Sequence, residues 1–576
     1  MKREAGMRMS QLLSKTQREL PTHIETVSAQ LLQRAGYVRQ LGAGIFSLLP
    51  LGFQVIKRLE LLIGEEMEYL GVQELSMPIV HPAEIWQMSG RWESVDQELL
   101  RFQDRQGRDY CLAMTHEEVV TQLAAQFISS YKHLPLAVFQ FQTKFRDEPR
   151  PRAGLIRARE FTMKDAYSFH QSQDDFKAFY WKMYGAYEQI FRRCELEVIP
   201  VESDTGIMGG SAAHEFMYLT PIGEDTLILC KHCGYKANRQ VAQFKKSCYS
   251  AEQKAIEEVY TPNITTIDDL AEFLHVPKEQ TAKAVFMVAN RAEQETLIFA
   301  VVRGDMEVNE SKLARAAGAK SLRSANLAEI KAIGAEPGYA SPIGIKRDRV
   351  LVIVDDAVAW SSNLVAGANR SDYHLLNTNY LRDYSADRVT DIAAAKQGDA
   401  CIQCSSLLTE ARGIEVGNIF DLGTEYSEAV GAHFLDKSGK KHAIYMGSYG
   451  IGIGRLLASI VEEHHDDKGI CWPQEIAPYD LSLLVLKDKN SDEPDKAALH
   501  LFGRLAEAGF RVLFDDREEN PGVKFKDADL LGMPYQIVLG MRGLEKGIIE
   551  LKHRRTGEKE ELSPDIALEK LQDLKP

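Results

Sequence analysis

Hydrophobic residues recur along this chain with two periods, and the switches between them mark its elements. In residues 50–71, PLGFQVIKRLELLIGEEMEYLG, the positions Val55, Ile56, Leu59, Leu62, Ile63 and Met67 fall at helical spacing. Pro50 is a start signal and Gly71 a stop. VQELSMPIV (72–80) follows as a strand ending near Pro78, and strand-like runs recur at PLAVFQFQTKF (135–145) and AREFTMKDAYSF (158–169). DDFKAFYWKMYGAYEQIFRRC (174–194) has the spacing of an amphipathic helix. This mixture predicts helices around an antiparallel sheet rather than a regular βαβ alternation.

The texture changes at about residue 235. TTIDDLAEFLHV, TAKAVFMVA, ETLIFAVVRG, NESKLARAAG and RVLVIVDDAV form a compact α/β set, bracketed by CKHC (230–233) and CIQC (401–404). GIEVGNIFDLG and GSYGIGIGRLLASIVEEHH then resume strand-and-helix patterning. After CWPQEIAP, the order DLSLLVL, DKAALHLFGRLAEAG, RVLFDD, KFKDADLLG, YQIVLG is βαβαβ, which predicts a mostly parallel sheet. The expected fold class is multidomain α+β and α/β. Residues 1–234 and 401–472 make a discontinuous first domain, 235–400 a domain inserted into it, and 473–576 a third module.

Composition narrows this picture. A length of 576 residues suggests about four domains of ~150 residues each, and 44% hydrophobic with 26% charged residues is ordinary for a soluble globular chain. The formal charge of −14 excludes a uniformly basic nucleic-acid binder, so any such partner must meet local basic surface. No apolar run approaches the ~20 residues that span a bilayer. The opening MKREAGMRMSQLLSKTQREL has neither the apolar core nor the cleavage site of a signal. Eight cysteines in so long a chain do not make a disulfide scaffold, and a reducing cytoplasm is the expected location.

Four stretches carry candidate chemistry. FRDEPRPRAGLIRAREFTMKDAYSF (145–169) sets arginines among acids. Arginine's planar fork grips a phosphate or carboxylate at two points. Arg146 and Glu148, two apart on a strand, would share a sheet face, with Phe161 available to stack on a flat ring; a charged ribbon with internal ion pairs is the competing reading. In GSYGIGIGR the glycines at 447, 450, 452 and 454 permit close backbone approach, and Arg455 at a helix start suggests an anionic ligand or an acidic neighbour. The spacing is not that of a dinucleotide fingerprint, and tight helix–sheet packing explains it equally. In CLAMTHEE, Thr115 and Glu117 suit a protonated amine, unless Thr115 only caps a helix. GGSAAHEF offers Ser211, His214 and Glu215. The CxxC pairs are far apart in sequence. They meet only if the strands leading into and out of the insert lie side by side, and packed reduced cysteines are the alternative to zinc.

Taken in order, Pro78 in GVQELSMPIV, THEE, FRDE…REFTMKDAYSF, GGSAAHEF, the insert, GIEVGNIF, GSYGIGIGR and DDREENPGVKFKDADLLG, the chain resembles the bacterial type of prolyl-tRNA synthetase over essentially its whole length. The resemblance implies a class II synthetase with a six-stranded antiparallel catalytic sheet, using ATP and Mg2+ to join L-proline to its tRNA. It implies a homodimer with Pro78 at the interface, and no membrane or DNA partner. Arg146 would bind the α-phosphate and the proline carboxylate, Glu148 the adenine amine, Phe161 the adenine face and Arg455 the far side of the nucleotide. Glu415 would be a weaker magnesium or phosphate contact. Thr115 and Glu117 would receive the proline amine, with Ser211 and His214 nearby. The insert is similar to an editing domain that hydrolyses alanyl-tRNA. Lys283, Asp355, His374 and the loop GAEPG from Gly334 to Gly338 match positions linked to that site. The last module is similar to an anticodon-binding domain, with Asp515, Asp516, Arg517, Lys524 and Lys526 on the expected RNA-facing loop. Met114, Asn418 and Asn520 depart from the family's usual Pro, His and basic residue. A relative of other specificity such as threonine, a catalytically silent adaptor, and a zinc-stapled nucleic-acid binder are the competing readings.

Overall fold

The computed structural model describes residues 6–19, 25–95, 97–204, 212–291, 294–319 and 321–574. The elements around the first domain's core are, in chain order, helix α1 (Pro50–Tyr69), strand β1 (Gln73–Glu74), α2 (Glu117–Phe127), β2 (Leu136–Phe145), β3 (Glu160–His170), α3 (Gln173–Arg193), β4 (Val198–Ser203), β5 (Ala212–Leu219), β6 (Asp225–Leu229), β7 (Lys236–Asn238), β8 (Thr409–Gly423), β9 (Tyr445–Gly452) and α4 (Ile453–Glu463). Strands β4, β5, β8, β9, β3 and β2 pair in that order, every neighbour antiparallel. β1 adds a short parallel edge beyond β2. At the other side β6 pairs with the first residues of β8, and β7 folds back onto β6 and touches β4.

Register gives this sheet two unlike faces, because directly paired residues point the same way and successive residues alternate. His214, Ile419, Tyr449, Ala166 and Phe139 form one cross-strand row. On that side Phe216, Ile419, Tyr449, Ala166 and Phe139 join buried residues of α1, α3 and α4 in the largest core. The next row, Glu215, Asn418, Gly450, Asp165 and Gln140, faces the opposite side, and each of its side chains is polar, Gly450 having none.

VQELSMPIV is not one strand. Gln73–Glu74 joins the large sheet, whereas Val80–Pro82 pairs with Tyr110–Leu112; Pro78 between them has no N–H to continue a ladder. The boundary expected at residue 235 also moves, because Lys236–Asn238 is a strand of the large sheet, held by β6. Two short strands, Phe244–Lys245 and Ala400–Cys401, pair at the neck of the insert. Beyond them the insert has a five-stranded sheet and a separate three-stranded one.

The C-terminal module has the expected parallel strands, Val512–Asp515, Leu481–Leu486 and Tyr535–Gly540, followed by an antiparallel pair. Its outer parallel strand is Gly6–Arg8, from the chain's beginning. Assigning all of 1–234 to the first domain therefore fails at this end: three residues are too short a pattern to reveal a distant partner. Ser10 fixes the crossing by donating to the Asp516 carboxylate from its backbone N–H (3.0 Å) and its hydroxyl (2.7 Å). The module is tied to the first domain where the buried Tyr37 hydroxyl donates to the Leu531 carbonyl (2.7 Å) and accepts from the Trp472 indole (2.8 Å). Among the described residues no helix is long and apolar enough to cross a membrane.

Candidate active site

The polar face of the large sheet carries a cavity of about 300 Å³. Its floor is opened by Gly450, where a Cβ would lie 2.9 Å from Asn418 Oδ1. Arg146, Glu148, Phe161, Glu415 and Arg455 all line it, so residues spread over 300 positions of sequence meet in one cavity. Arg146 and Glu148 lie just past the end of β2 rather than on it. Pro149 and Pro151 follow and cannot extend the pairing. The Arg146 guanidinium sits 5.4 Å from the Phe161 ring centroid and donates from Nε to the Met114 carbonyl (3.3 Å). Arg455, in the first turn of α4, donates to the carbonyls of Ile156 (2.9 Å) and Glu415 (2.9 Å), with the Glu415 carboxylate at 3.4 Å. Burial, then the charge of Arg455, pushes Arg146 below its ordinary pKa. A buried guanidinium with a second one nearby favours an anionic ligand.

The loop arginines divide. Arg157 pairs with Glu148 (2.9 Å) and Glu224 (2.5 Å), Arg152 with Glu224 (2.7 Å), and Arg159 with Asp147 (3.5 Å). Here the ion-paired ribbon is real, and it also fixes Glu148 at the cavity wall.

Helix α2 begins at Glu117 with His116 as its N-cap, and no side chain caps it. Thr115 instead donates its hydroxyl to the Glu117 carboxylate, whose other oxygen accepts from Ser448 Oγ (2.8 Å). Beside them on the same face lies a buried network: Asp165 accepts from Lys144 (2.7 Å), Gln140 (2.9 Å) and the Tyr167 hydroxyl (2.8 Å). Met114 is buried, and its carbonyl links this loop to Arg146. Asn418 donates to Glu415 (2.5 Å). Each of these departures from the family pattern thus has a defined contact.

Ser211 lies outside the described residues. His214 is not where it was expected. Alternation along β5 turns it to the helical face, where its Nδ1 meets the Tyr180 hydroxyl (2.6 Å) and its ring packs near Trp181 and Tyr184. Glu215 takes the cavity side instead, accepting from Asn238 (3.0 Å). Burial and the Glu415 charge push its carboxyl up to about 8. The pairing of β5 with β8 was the missing signal.

In the insert, Gly334 and Gly338 have φ of +83° and +84°, and a Cβ on Gly338 would lie 2.8 Å from Thr265 Cγ2. The next residue, Tyr339, brings its ring to 5.4 Å from His374, which is paired to Thr261 Oγ1 at 2.7 Å. Lys283 pairs with Glu307. It alternates with Ala284 and Phe286, which pack on the side of Ala335 and Ala340, so Lys283 points to the other face of its sheet. Asp355 is fully buried. It caps Asp356–Trp360 by accepting from Ala357 N–H (3.0 Å) and also accepts from Ile392 N–H (2.9 Å) and Lys246 Nζ (2.7 Å). These internal partners make it a structural anchor and correct its expected place facing a ligand.

Two of the expected RNA contacts are likewise internal. Asp515 and Lys524 are buried, with Lys524 donating to the carbonyls of Val485 (2.8 Å) and Asp515 (3.1 Å). Arg517 grips Asp515 through two bonds (2.9 and 2.7 Å) and reaches Asp527 (2.9 Å). The acid at the strand end and the cations after it neutralise one another under the loop. Lys526 is exposed. With Arg517 and Asn520 it lines a groove of about 1170 Å³ whose opposite wall includes Lys15, Arg18 and Arg34.

Pro78 is exposed, and its carbonyl accepts from Nε2 of both His81 (2.9 Å) and His116 (3.0 Å). This ties the segment expected at a dimer interface to the cap of α2. His81 Nδ1 accepts from the Trp86 indole (3.2 Å), which fixes the neutral tautomer.

This sheet, with ligand-lining arginines on one face and helices on the other, defines a class II synthetase core. Residues 100–464 match the tRNA synthetase class II core domain (G, H, P, S and T), and residues 481–574 match the anticodon binding domain. A proline–tRNA ligase of Salinispora tropica is 51% identical over 96% of this chain and 93% of its own, and one of Bacillus subtilis is 45% identical over 97% and 98%. The chain belongs to the proline–tRNA ligase family. A solved prolyl-tRNA synthetase of Cryptosporidium parvum, complexed with halofuginone and AMPPNP, shares the fold with a TM-score of 0.56. It is 14% identical, over 95% of this chain and 78% of its own.

The histidine pair gives a pH signature. Burial, against the bond to Pro78 and with the Lys144 charge, lowers His81 to about 4; burial, Lys144 and His81 lower His116 to about 2. Both folded values lie below the unfolded value of ~6.5. The stability they contribute is therefore whole above pH ~6.5 and is lost as pH falls, because the unfolded chain takes up protons first. Between pH 7.5 and 5 each histidine should cost about 2 kcal/mol of unfolding free energy, read from urea midpoints, and His81→Asn should shrink that difference.

Proposed function

We propose that this enzyme activates L-proline with ATP and transfers it to the tRNA for proline, acting as a cytoplasmic homodimer paired through the segment around Pro78. The observation that supports this most is the meeting of Arg146, Phe161 and Arg455 in one cavity, joined through Met114 to Thr115 and Glu117. In the first step a proline carboxylate oxygen attacks the α-phosphorus, the bond to the β-phosphate oxygen breaks, and pyrophosphate leaves. In the second, a ribose hydroxyl of the tRNA end attacks the prolyl carbonyl and AMP leaves. Neither step needs a protein nucleophile; both need two anions held together and aligned.

Arg146 is placed to neutralise both, Phe161 to stack on adenine, Glu148 to accept from its amine, and Arg455 to hold the distal nucleotide. The Glu117 carboxylate, fixed by Ser448 and Thr115, receives the secondary ammonium of proline. Magnesium fits beside Glu415, because the neighbouring Glu215 and Asp225 carboxyls are pushed up first by burial and then by the Glu415 charge, which a cation there would relieve. When bound it would supply charge neutralisation to the phosphates. Replacing Arg146 by alanine should lower proline-dependent ATP–pyrophosphate exchange at least ~10²-fold, the scale of losing one preorganised charge contact. Unchanged exchange would remove Arg146 from the reaction.

We further infer that the insert hydrolyses alanyl-tRNA. A pocket sized for proline excludes smaller alanine weakly, and a second site must discard the error. The juxtaposition of His374, Tyr339 and the Gly334–Gly338 loop supports a small pocket there; Lys283, on the other face of its sheet and paired with Glu307, is not part of that pocket and would hold the tRNA end outside it. Lys283→Ala should slow deacylation of alanyl-tRNA by about tenfold, one charged contact's worth, with prolyl-adenylate formation unaltered. Equal loss of both activities would count against an editing role. In the C-terminal module, Lys526 and Arg517 are the anticodon contacts we retain.

A further inference from the structure

The two CxxC pairs are absorbed by neither activity. Cys230, Cys233, Cys401 and Cys404 converge so that all four sulfurs lie within 4.8 Å of one another. Cys230 Sγ is 3.5 Å from Cys404 Sγ, and Cys233 Sγ is 3.6 Å from Cys401 Sγ. A tetrahedral zinc with Zn–S bonds of ~2.3 Å sets its sulfurs ~3.8 Å apart, so the cluster has nearly the spacing of a tetrathiolate site. Two disulfides would need sulfurs at ~2.0 Å.

The backbone around each pair is built alike. Cys230 N–H donates to the carbonyl of Tyr235 (2.8 Å), and Cys401 N–H to that of Ser406 (2.8 Å), each five residues on. Gly234 N–H returns to the Cys230 carbonyl (3.0 Å) and Ser405 N–H to the Cys401 carbonyl (2.9 Å). Those two returning residues have positive φ, +80° for Gly234 and +64° for Ser405, the second without a glycine to ease it. The second sulfur of each pair also accepts a backbone N–H two residues on, from Tyr235 to Cys233 and from Ser406 to Cys404. Two turns from opposite ends of a long insert, with the same bonds at the same offsets, present four sulfurs to one point. N–H donors aimed at sulfur stabilise thiolate over thiol. Lys245, whose ammonium donates to Ser405 Oγ (3.2 Å), adds positive charge beside what would be a doubly negative Zn(Cys)4 unit.

We propose that these four cysteines bind one structural zinc ion as thiolates, releasing their protons to solvent, and that the ion staples the neck of the insert. Cys230 directly follows β6 of the large sheet, and Cys401 lies in the two-strand pair Phe244–Lys245 with Ala400–Cys401. The ion therefore joins the outgoing and returning chain where the insert meets the large sheet. All four ligands are protein sulfurs, so the site is closed, which suits a structural ion rather than a catalytic one.

Elemental analysis of the full chain, purified without chelator or added metal, should find about one zinc per chain. Protein produced with cobalt should show the thiolate-to-metal charge transfer and strong visible bands of a tetrahedral four-sulfur site. Cys233→Ser, at the exposed ligand, should lose the metal, whereas Cys248→Ser, at an exposed cysteine outside the cluster, should keep it. Stripping the metal should speed hydrogen exchange in 230–245 and 399–408 while proline-dependent ATP–pyrophosphate exchange persists. Absence of metal with four titratable thiols or two disulfides, or full zinc in Cys233→Ser, would overturn the site. Unchanged exchange in the neck after stripping would overturn the staple.

Discussion

A one-residue slip in the pairing of β8 with β9 would exchange the two faces of the large sheet, and with them everything the enzyme does. The observed register puts Ile419, Tyr449, Ala166 and Phe139 against three helices and Asn418, Gly450, Asp165 and Gln140 on the ligand side. The apolar row is locked by burial of its large rings, Tyr449 and Phe139, in one core with Phe216 and with Tyr187 of α3. The polar row is thereby turned to the ligand side, where Asp165 and Gln140 are buried in a hydrogen-bonded network and the glycine beside them leaves the room that a nucleotide requires.

On that face, charge rather than shape sets the site. Arg146 and Arg455 approach each other in a half-buried cavity, while Glu415, Glu215 and Asp225 gather at its edge. The two arginines are held by backbone carbonyls and Glu415 and Glu215 by asparagine side chains, so the arrangement does not depend on a ligand to form. The ion-paired arginines of the neighbouring loop do different work: Arg157 and Arg152 close on Glu224 and keep Glu148 in position.

Periodicity in the sequence revealed α1, α3, β2, β3 and the parallel C-terminal sheet, since long amphipathic patterns depend on nothing distant. The ordered motifs carried Arg146, Glu148, Phe161, Glu415 and Arg455 into one place. What local spacing could not show was pairing between remote strands. It could not tell that Gly6–Arg8 would extend a sheet five hundred residues away, nor that His214 and Glu215 would take opposite faces. Nor could it separate a charged residue that meets solvent, Lys526, from a close neighbour buried to neutralise an acid, Lys524. The cysteine pairs lay between these cases: the motif was legible, and only the fold could say that its halves meet.

The amino-acid dependence of ATP–pyrophosphate exchange tests the central claim most directly, because it asks whether the polar face of this sheet activates proline. With the purified chain and each amino acid in turn, exchange should be supported by L-proline far above the rest, with alanine as the main weaker substrate. Exchange driven by another amino acid such as threonine, or none with proline, would contradict it.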